Sequence, residues 1–186
     1  MAANWDLTDD SAVSEYLTRF QCLSTQLESI LSSFGALDLA SLNPESSSTS
    51  QIRSWADEIL QVETWSRRAL VTDDFPSGVS PANYEVDYQK RFACDSCHQP
   101  HQISIELGFD NRQAVGTNLL KIDLASQSFH KKYGSASIGI IVVTNTIGRQ
   151  RGRWDGAVAI DYDYSWARRK AYASYLDTPI LLLTLS

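Results

Sequence analysis

Two uninterrupted apolar runs restrict the fold more than any other feature of this chain. Residues 138–143 read IGIIVV and residues 179–185 read PILLLTL. Each has strand length, and the first is a continuous run of the kind a strand covered on both faces would show. Val115, Leu119, Ile122, Leu124 and Phe129 place a helix over 114–130, and another helix is expected over 163–176. Strands that alternate with helices form a sheet with parallel members and helices on its faces.

The preceding sequence is helical in character. Val13, Leu17, Phe20, Leu23, Leu27, Ile30, Leu31 and Phe34 recur at helical spacing and predict one helix over 9–34, with Gly35 as its stop. Ile52, Trp55, Ile59 and Val62, with Leu70 near the end, predict a second helix over 50–70. The polar stretch 43–50 and the Pro/Gly-bearing stretch 73–83 read as loops. Residues 84–88 (YEVDY) and 102–107 (QISIEL) then alternate in strand fashion around a polar, Cys/His-bearing tip, which predicts a hairpin. Residues 144–160 are a Gly/Arg-rich connection with a short strand expected at 157–160. The expected architecture is one α/β domain over 1–186, with a mixed central sheet flanked by helices. Residues 1–72 form its helical part and residues 84–186 its α/β core.

Composition narrows the function. The chain has 186 residues, of which 43% are apolar, enough to bury a core. Its net charge of −6 divides unevenly: residues 1–83 hold 4 basic and 12 acidic side chains, residues 84–186 hold 12 basic and 10 acidic. A dispersed basic coat for nucleic acid is excluded, while a local basic site in the second half fits this distribution. No apolar run approaches the roughly 20 residues needed to span a bilayer, so no membrane partner is expected. The opening MAANWDLTDD is acidic and lacks the apolar stretch of a secretory signal, which leads to the expectation of a cytoplasmic protein. Three cysteines in such a chain do not suggest a disulfide framework.

The residues that point to chemistry are two acids on the expected hairpin, Asp87 in EVDY and Glu106 in ISIELGFDNR. Neighbouring strands lie about 5 Å apart, so facing carboxylates can share a cation. Hard oxygen ligands of this kind suit Mg²⁺, which polarises a phosphoryl oxygen and acidifies water. Two solvent-facing acids on a hairpin would look the same.

In order, the segments EVDY, IELGFDN, the 114–130 helix, IGIIVVT and TPILLLTL resemble the BamHI/BglII group of type II restriction endonucleases, within the PD-(D/E)XK nuclease superfamily. The resemblance spans residues 84–186 and rests on the ordered set rather than on one motif. It implies a restriction-endonuclease-like fold and a Mg²⁺-dependent enzyme that cuts double-stranded DNA at a specific site. It implies Asp87 and Glu106 as catalytic metal ligands, joined by the backbone carbonyl of Leu107. Asn111, Arg112 and Gln113, at the mouth of the following helix, and Thr144 and Asn145, just past the central strand, match positions that contact DNA. Asn and Gln suit adenine edges and Arg suits guanine. A homodimer is expected, since a palindromic site mirrors a two-fold protein. The sequence departs from the pattern at Gly108, where the group carries Lys, Glu or Gln. Asp110, Glu63 and Lys121 are the candidate substitutes, and the direction of Lys121 on its helix is left open.

Two clusters lie outside this pattern. The hairpin tip carries Cys94, Cys97, His98 and His101, and C-x-x-C followed by histidine suits Zn²⁺. Four ligands within eight residues close poorly around one ion, so Cys94, Cys97 and His101 are expected to need a ligand from a partner. CDSCH also matches c-type haem attachment, which an unexported chain would not undergo. Arg149, Arg151 and Arg153, interleaved with Gly148 and Gly152, are candidates for DNA contact. His130, Lys131 and Lys132 complement a helix C-terminus, and Arg168, Arg169 and Lys170 read as a solvated helix face. Two further readings stand beside the nuclease: a catalytically impaired DNA-binding protein on the same scaffold, and a zinc-binding interaction module.

Overall fold

The structure, a computed structural model, describes residues 3–5, 11–35, 48–60, 64–72, 78, 84–108, 114–144 and 174–185. In chain order the elements are β1 (Ala3–Trp5), α1 (Ser11–Arg19), α2 (Gln21–Gly35), α3 (Ser48–Ile59), β2 (Ser66–Leu70), β3 (Glu85–Ala93), β4 (Pro100–Leu107), α4 (Val115–Tyr133), β5 (Ser137–Thr144) and β6 (Ile180–Leu185). They build a mixed α/β fold around a six-stranded sheet of order β1-β6-β5-β4-β3-β2. The three central strands β4, β5 and β6 are parallel, whereas β2, β3 and β1 pair antiparallel to their neighbours.

Both faces of the central strands are covered, which is why 138–143 and 180–183 are apolar without alternation. On one face Ile138, Ile140, Val142, Leu181 and Leu183 meet Leu23, Leu27, Ile30 and Phe34 of α2, with Ala56 of α3 and Trp65. On the other, Ile141, Val143, Ile180 and Leu182 meet Val115, Leu119, Ile122 and Ala125 of α4. Burying each such side chain stabilises the fold by about 1.5–3 kcal/mol. Gly139 lets α4 approach closely: a Cβ there would lie 2.1 Å from Ile122 Cγ2. Helix α4 stops at Gly134, left-handed at φ 64°, whose N–H donates to the His130 carbonyl at 2.7 Å. Its last turn holds His130, Lys131 and Lys132, as the dipole favours.

The N-terminal expectations need correction. The helix expected over 9–34 is broken at Phe20 into α1 and α2. The Tyr16 hydroxyl donates to the Ser137 carbonyl at 3.0 Å and accepts the Ser137 N–H at 2.9 Å, fixing α1 to the start of β5. Phe20 meanwhile packs between Tyr16 and His101. These long-range contacts turn the chain while leaving the apolar period intact.

The helix expected over 50–70 stops at Ile59, and Ser66–Leu70 is strand β2. That strand lies at the margin of the sheet and is mostly exposed. Pairing with β3 and ion pairs from Arg67 to Asp57 (2.9 Å) and from Arg68 to Glu85 (2.8 Å) hold it, not apolar pattern. The expected hairpin is present, extended to Glu85–Ala93 and Pro100–Leu107. The strand expected at 157–160 and residues 163–173 of the last expected helix lie outside the described residues. Residues 174–176, its expected end, are not helical.

Candidate active site

The site forms where β3 begins and β4 ends. The β3–β4 pairing ends at Tyr88↔Ile105, and beyond it the Leu107 N–H donates to Asp87 Oδ2, which brings Asp87 to the end of β4 that carries Glu106. The backbone is irregular here. Pairing of β2 with β3 runs through Arg67↔Tyr88 and Ala69↔Val86 and skips Arg68 and Asp87. Arg68 is left-handed at φ 48°, a conformation unusual for a residue with a side chain. Val86 packs into the α4-side core, yet Tyr88 packs into the opposite one, so β3 turns its faces over at Asp87.

Each acid is held by named partners. Asp87 Oδ2 accepts the Leu107 N–H at 2.9 Å, and Oδ1 lies 3.4 Å from Arg53 Nη1 on α3. Tyr88 secures α3 beside it, donating to Asp57 Oδ1 at 2.8 Å. Burial and the Asp57 carboxylate push the Tyr88 phenol well above its ordinary value, so it stays a donor. Glu106 is 3% exposed, and Lys121 Nζ on α4 lies 2.5 Å from its Oε1. That contact is an ion pair whose angle falls outside hydrogen-bond geometry. Lys121 also donates to the Glu85 carbonyl at 2.9 Å, so one ammonium ties the start of β3 to the end of β4.

Burial pushes the Glu106 carboxyl up to about 8, the Asp87 charge adds to the shift, and Lys121 opposes it. Arg53 stands beside Asp87 and Lys121 beside Glu106, so each carboxyl of this corner has its own cation. The oxygens of Asp87 and Glu106 are of the donor type that suits a hard divalent cation.

The sequence-predicted residues fall in three groups. Asp87, Glu106 and the backbone of Leu107 come together. Gly108 is buried, with its N–H donated to the Val142 carbonyl at 2.8 Å, and offers no side chain. Lys121, whose direction sequence could not fix, reaches the acidic pair from α4 instead. Thr144 ends β5 at the same end of the sheet. Asn111, Arg112, Gln113, Asn145, Arg149, Arg151 and Arg153 lie outside the described residues, as do Glu63 and Asp110. Sequence reasoning missed Arg53, which carries no motif and is brought in only by the packing of α3.

Cys94, Cys97 and His101 lie at the other end of the hairpin. His101 is five residues from Glu106 along β4, about 17 Å at strand rise. Cys22 of α2 joins them there as a fourth donor from within the chain. Cys22 and Cys94 form a disulfide with Cα atoms 5.9 Å apart, contrary to the expectation of none. Burial pushes the His101 imidazole down, partly offset by the Ala136 carbonyl, so the ring is neutral near pH 7. A cleft of about 880 Å³ opens at this same end, between Tyr16, Phe20, His130 and Pro179, and includes none of Asp87, Glu106 and Lys121.

Among known proteins, no protein-family model and no curated protein matches the chain. Among the described residues, no helix is long and apolar enough to cross a membrane.

Proposed function

We propose that this protein is a Mg²⁺-dependent endonuclease of restriction-enzyme type, hydrolysing phosphodiester bonds of double-stranded DNA at a specific site. The observation that carries the reading is the convergence of Asp87, Glu106 and Lys121 at one corner of the sheet. Asp87 and Glu106, with the Leu107 carbonyl, would hold Mg²⁺. When bound, the ion polarises the phosphoryl oxygen and makes water more acidic. The chain's own groups do the rest. Leu107 N–H and Arg53 fix the Asp87 carboxylate. Lys121 holds Glu106 and offers its ammonium to the charge that develops on the phosphate. Water oxygen bonds to phosphorus in line as the bond to the 3′ oxygen breaks, leaving a 3′-hydroxyl and a 5′-phosphate. Lys121 supplies from α4 the positive side chain absent at Gly108.

The reading includes a homodimer acting in the cytoplasm, one site per strand of a palindrome, with Arg149, Arg151, Arg153, Asn111, Arg112, Gln113, Thr144 and Asn145 as the DNA contacts that the sequence resemblance implies. The test is incubation of supercoiled plasmid with the protein and Mg²⁺. Discrete linear bands are expected, and Asp87→Ala or Glu106→Ala should abolish them. A second reading, a DNA-binding protein on an inactive scaffold, is favoured by Gly108. It requires sequence-specific binding without cutting by the unaltered protein.

A further inference from the structure

We propose that Cys22, Cys94, Cys97 and His101 form an intrachain Zn²⁺ site that fastens α2 to the tip of the β3–β4 hairpin. This inference is independent of the nuclease reading. The four donor atoms all lie within 4.8 Å of one another. Tetrahedral zinc, with ligands at about 2.0–2.3 Å, holds its donors about 3.3–3.8 Å apart, a spacing that small side-chain rotations reach from here. Three sulfurs and one imidazole are a standard structural zinc set.

The backbone prepares the turn. The His98 N–H donates to the Cys94 carbonyl at 2.8 Å, and the Cys94 N–H donates to the Gln99 carbonyl at 3.0 Å. His98, directly after the second cysteine, is left-handed at φ 55°. This tight closure brings the sulfurs of C-x-x-C toward one point. The Ser96 hydroxyl lies 3.1 Å from Cys94 Sγ and 3.3 Å from Cys22 Sγ, where it can donate to thiolates, as groups around ligated sulfur do.

A Cys22–Cys94 disulfide alone leaves the rest of the cluster without purpose. His101 is fully buried, its Nε2 lies 3.2 Å from Cys97 Sγ, and its Nδ1 makes no hydrogen bond of proper geometry. A buried imidazole aimed at a third sulfur is accounted for by a shared cation. The two bonding states exclude each other, because a disulfide sulfur has no thiolate to donate. A dithiol supplies two electrons and two protons to the Cys22–Cys94 bond and closes to its own disulfide. Zinc then displaces the thiol protons.

The site joins residues 72 apart in sequence, at the far end of the hairpin that carries Asp87 and Glu106. The experiment uses the full chain, prepared with a dithiol and zinc, then freed of unbound metal. Metal analysis should find one zinc per chain, and chelation should lower the melting temperature. Replacement by Co²⁺ should give the intense thiolate-to-cobalt and visible bands of a tetrahedral sulfur-rich site. Cys97→Ser and His101→Ala should each lose the stoichiometric metal, whereas a plain disulfide uses neither residue. His101→Cys should retain it. The proposal is overturned if the reduced, unaltered chain binds no zinc and gives no cobalt bands, or if Cys97→Ser and His101→Ala keep full metal content. Zinc content and cobalt bands of the unaltered chain by themselves can overturn the proposal, so a variant that fails to fold does not blunt the test, and loss of plasmid cutting plays no part in it.

Discussion

Replacing Lys121 by Met removes the ammonium and keeps the length of the side chain. Taking one partner from a buried ion pair normally costs about 3–5 kcal/mol, because the other charge is stranded. Glu106 has an escape, since its carboxyl already sits at about 8 and can take up a proton. The sign follows from linkage. Between about 4.5, the unfolded value, and about 8, the metal-free folded chain holds a proton that the unfolded chain has released. Stability contributed by this group is therefore highest at low pH and falls as pH rises through that window, by about 1.4 kcal/mol per unit. Without Lys121 the folded value moves higher still, and the fall continues beyond pH 8. Urea unfolding of the metal-free proteins should then show Lys121→Met only about 1 kcal/mol less stable at pH 6, with the gap widening toward pH 9. Plasmid cutting at pH 8 with Mg²⁺ should drop by about 10²–10³-fold, the scale for losing one charge-stabilising group. A gap that does not change with pH, or cutting at the original rate, would refute the assignment of Lys121 to this corner's charge balance.

Other consequences can be checked separately. Mg²⁺ must displace the Glu106 proton, so its apparent affinity should rise up to about tenfold per pH unit from pH 6 and level off above about 8; calorimetry in buffers of different ionisation heat would register the released proton. Gly139→Ala should destabilise the fold by about 1–3 kcal/mol by driving a methyl into Ile122, and in denaturant melts the pair with Ile122→Ala should cost less than the two changes added. Tyr16→Phe should cost about 1–3 kcal/mol in the same assay, because the Ser137 N–H and carbonyl both lose the phenol.

How much of this was legible in sequence depended on whether the physics was local. IGIIVV and PILLLTL announced their strands because burial on two faces leaves its mark in every residue. YEVDY and QISIEL did so because a hairpin pairs near neighbours, which also brought Asp87 and Glu106 to one end of it. Strand β2 was hidden, since Ser66, Arg67 and Arg68 have no apolar pattern and only pairing with β3 makes a strand of this segment. Lys121 stood in the sequence as a lysine beside an apolar stripe; which way it points depends on the seating of α4, and Gly139 helps to set that seating. Cys22 could not be tied to Cys94 by spacing, because 72 residues intervene and only the packing of α2 closes the gap.

The left-handed Arg68 also bears on assembly. A second copy laying its own strand along β2 would need an unbroken row of donors and acceptors, and the twist at Arg68 interrupts that row. It would also bring Arg67 and Arg68 against their own counterparts or displace them from Asp57 and Glu85. The β2 margin is thereby blunted against edge-to-edge addition of another strand.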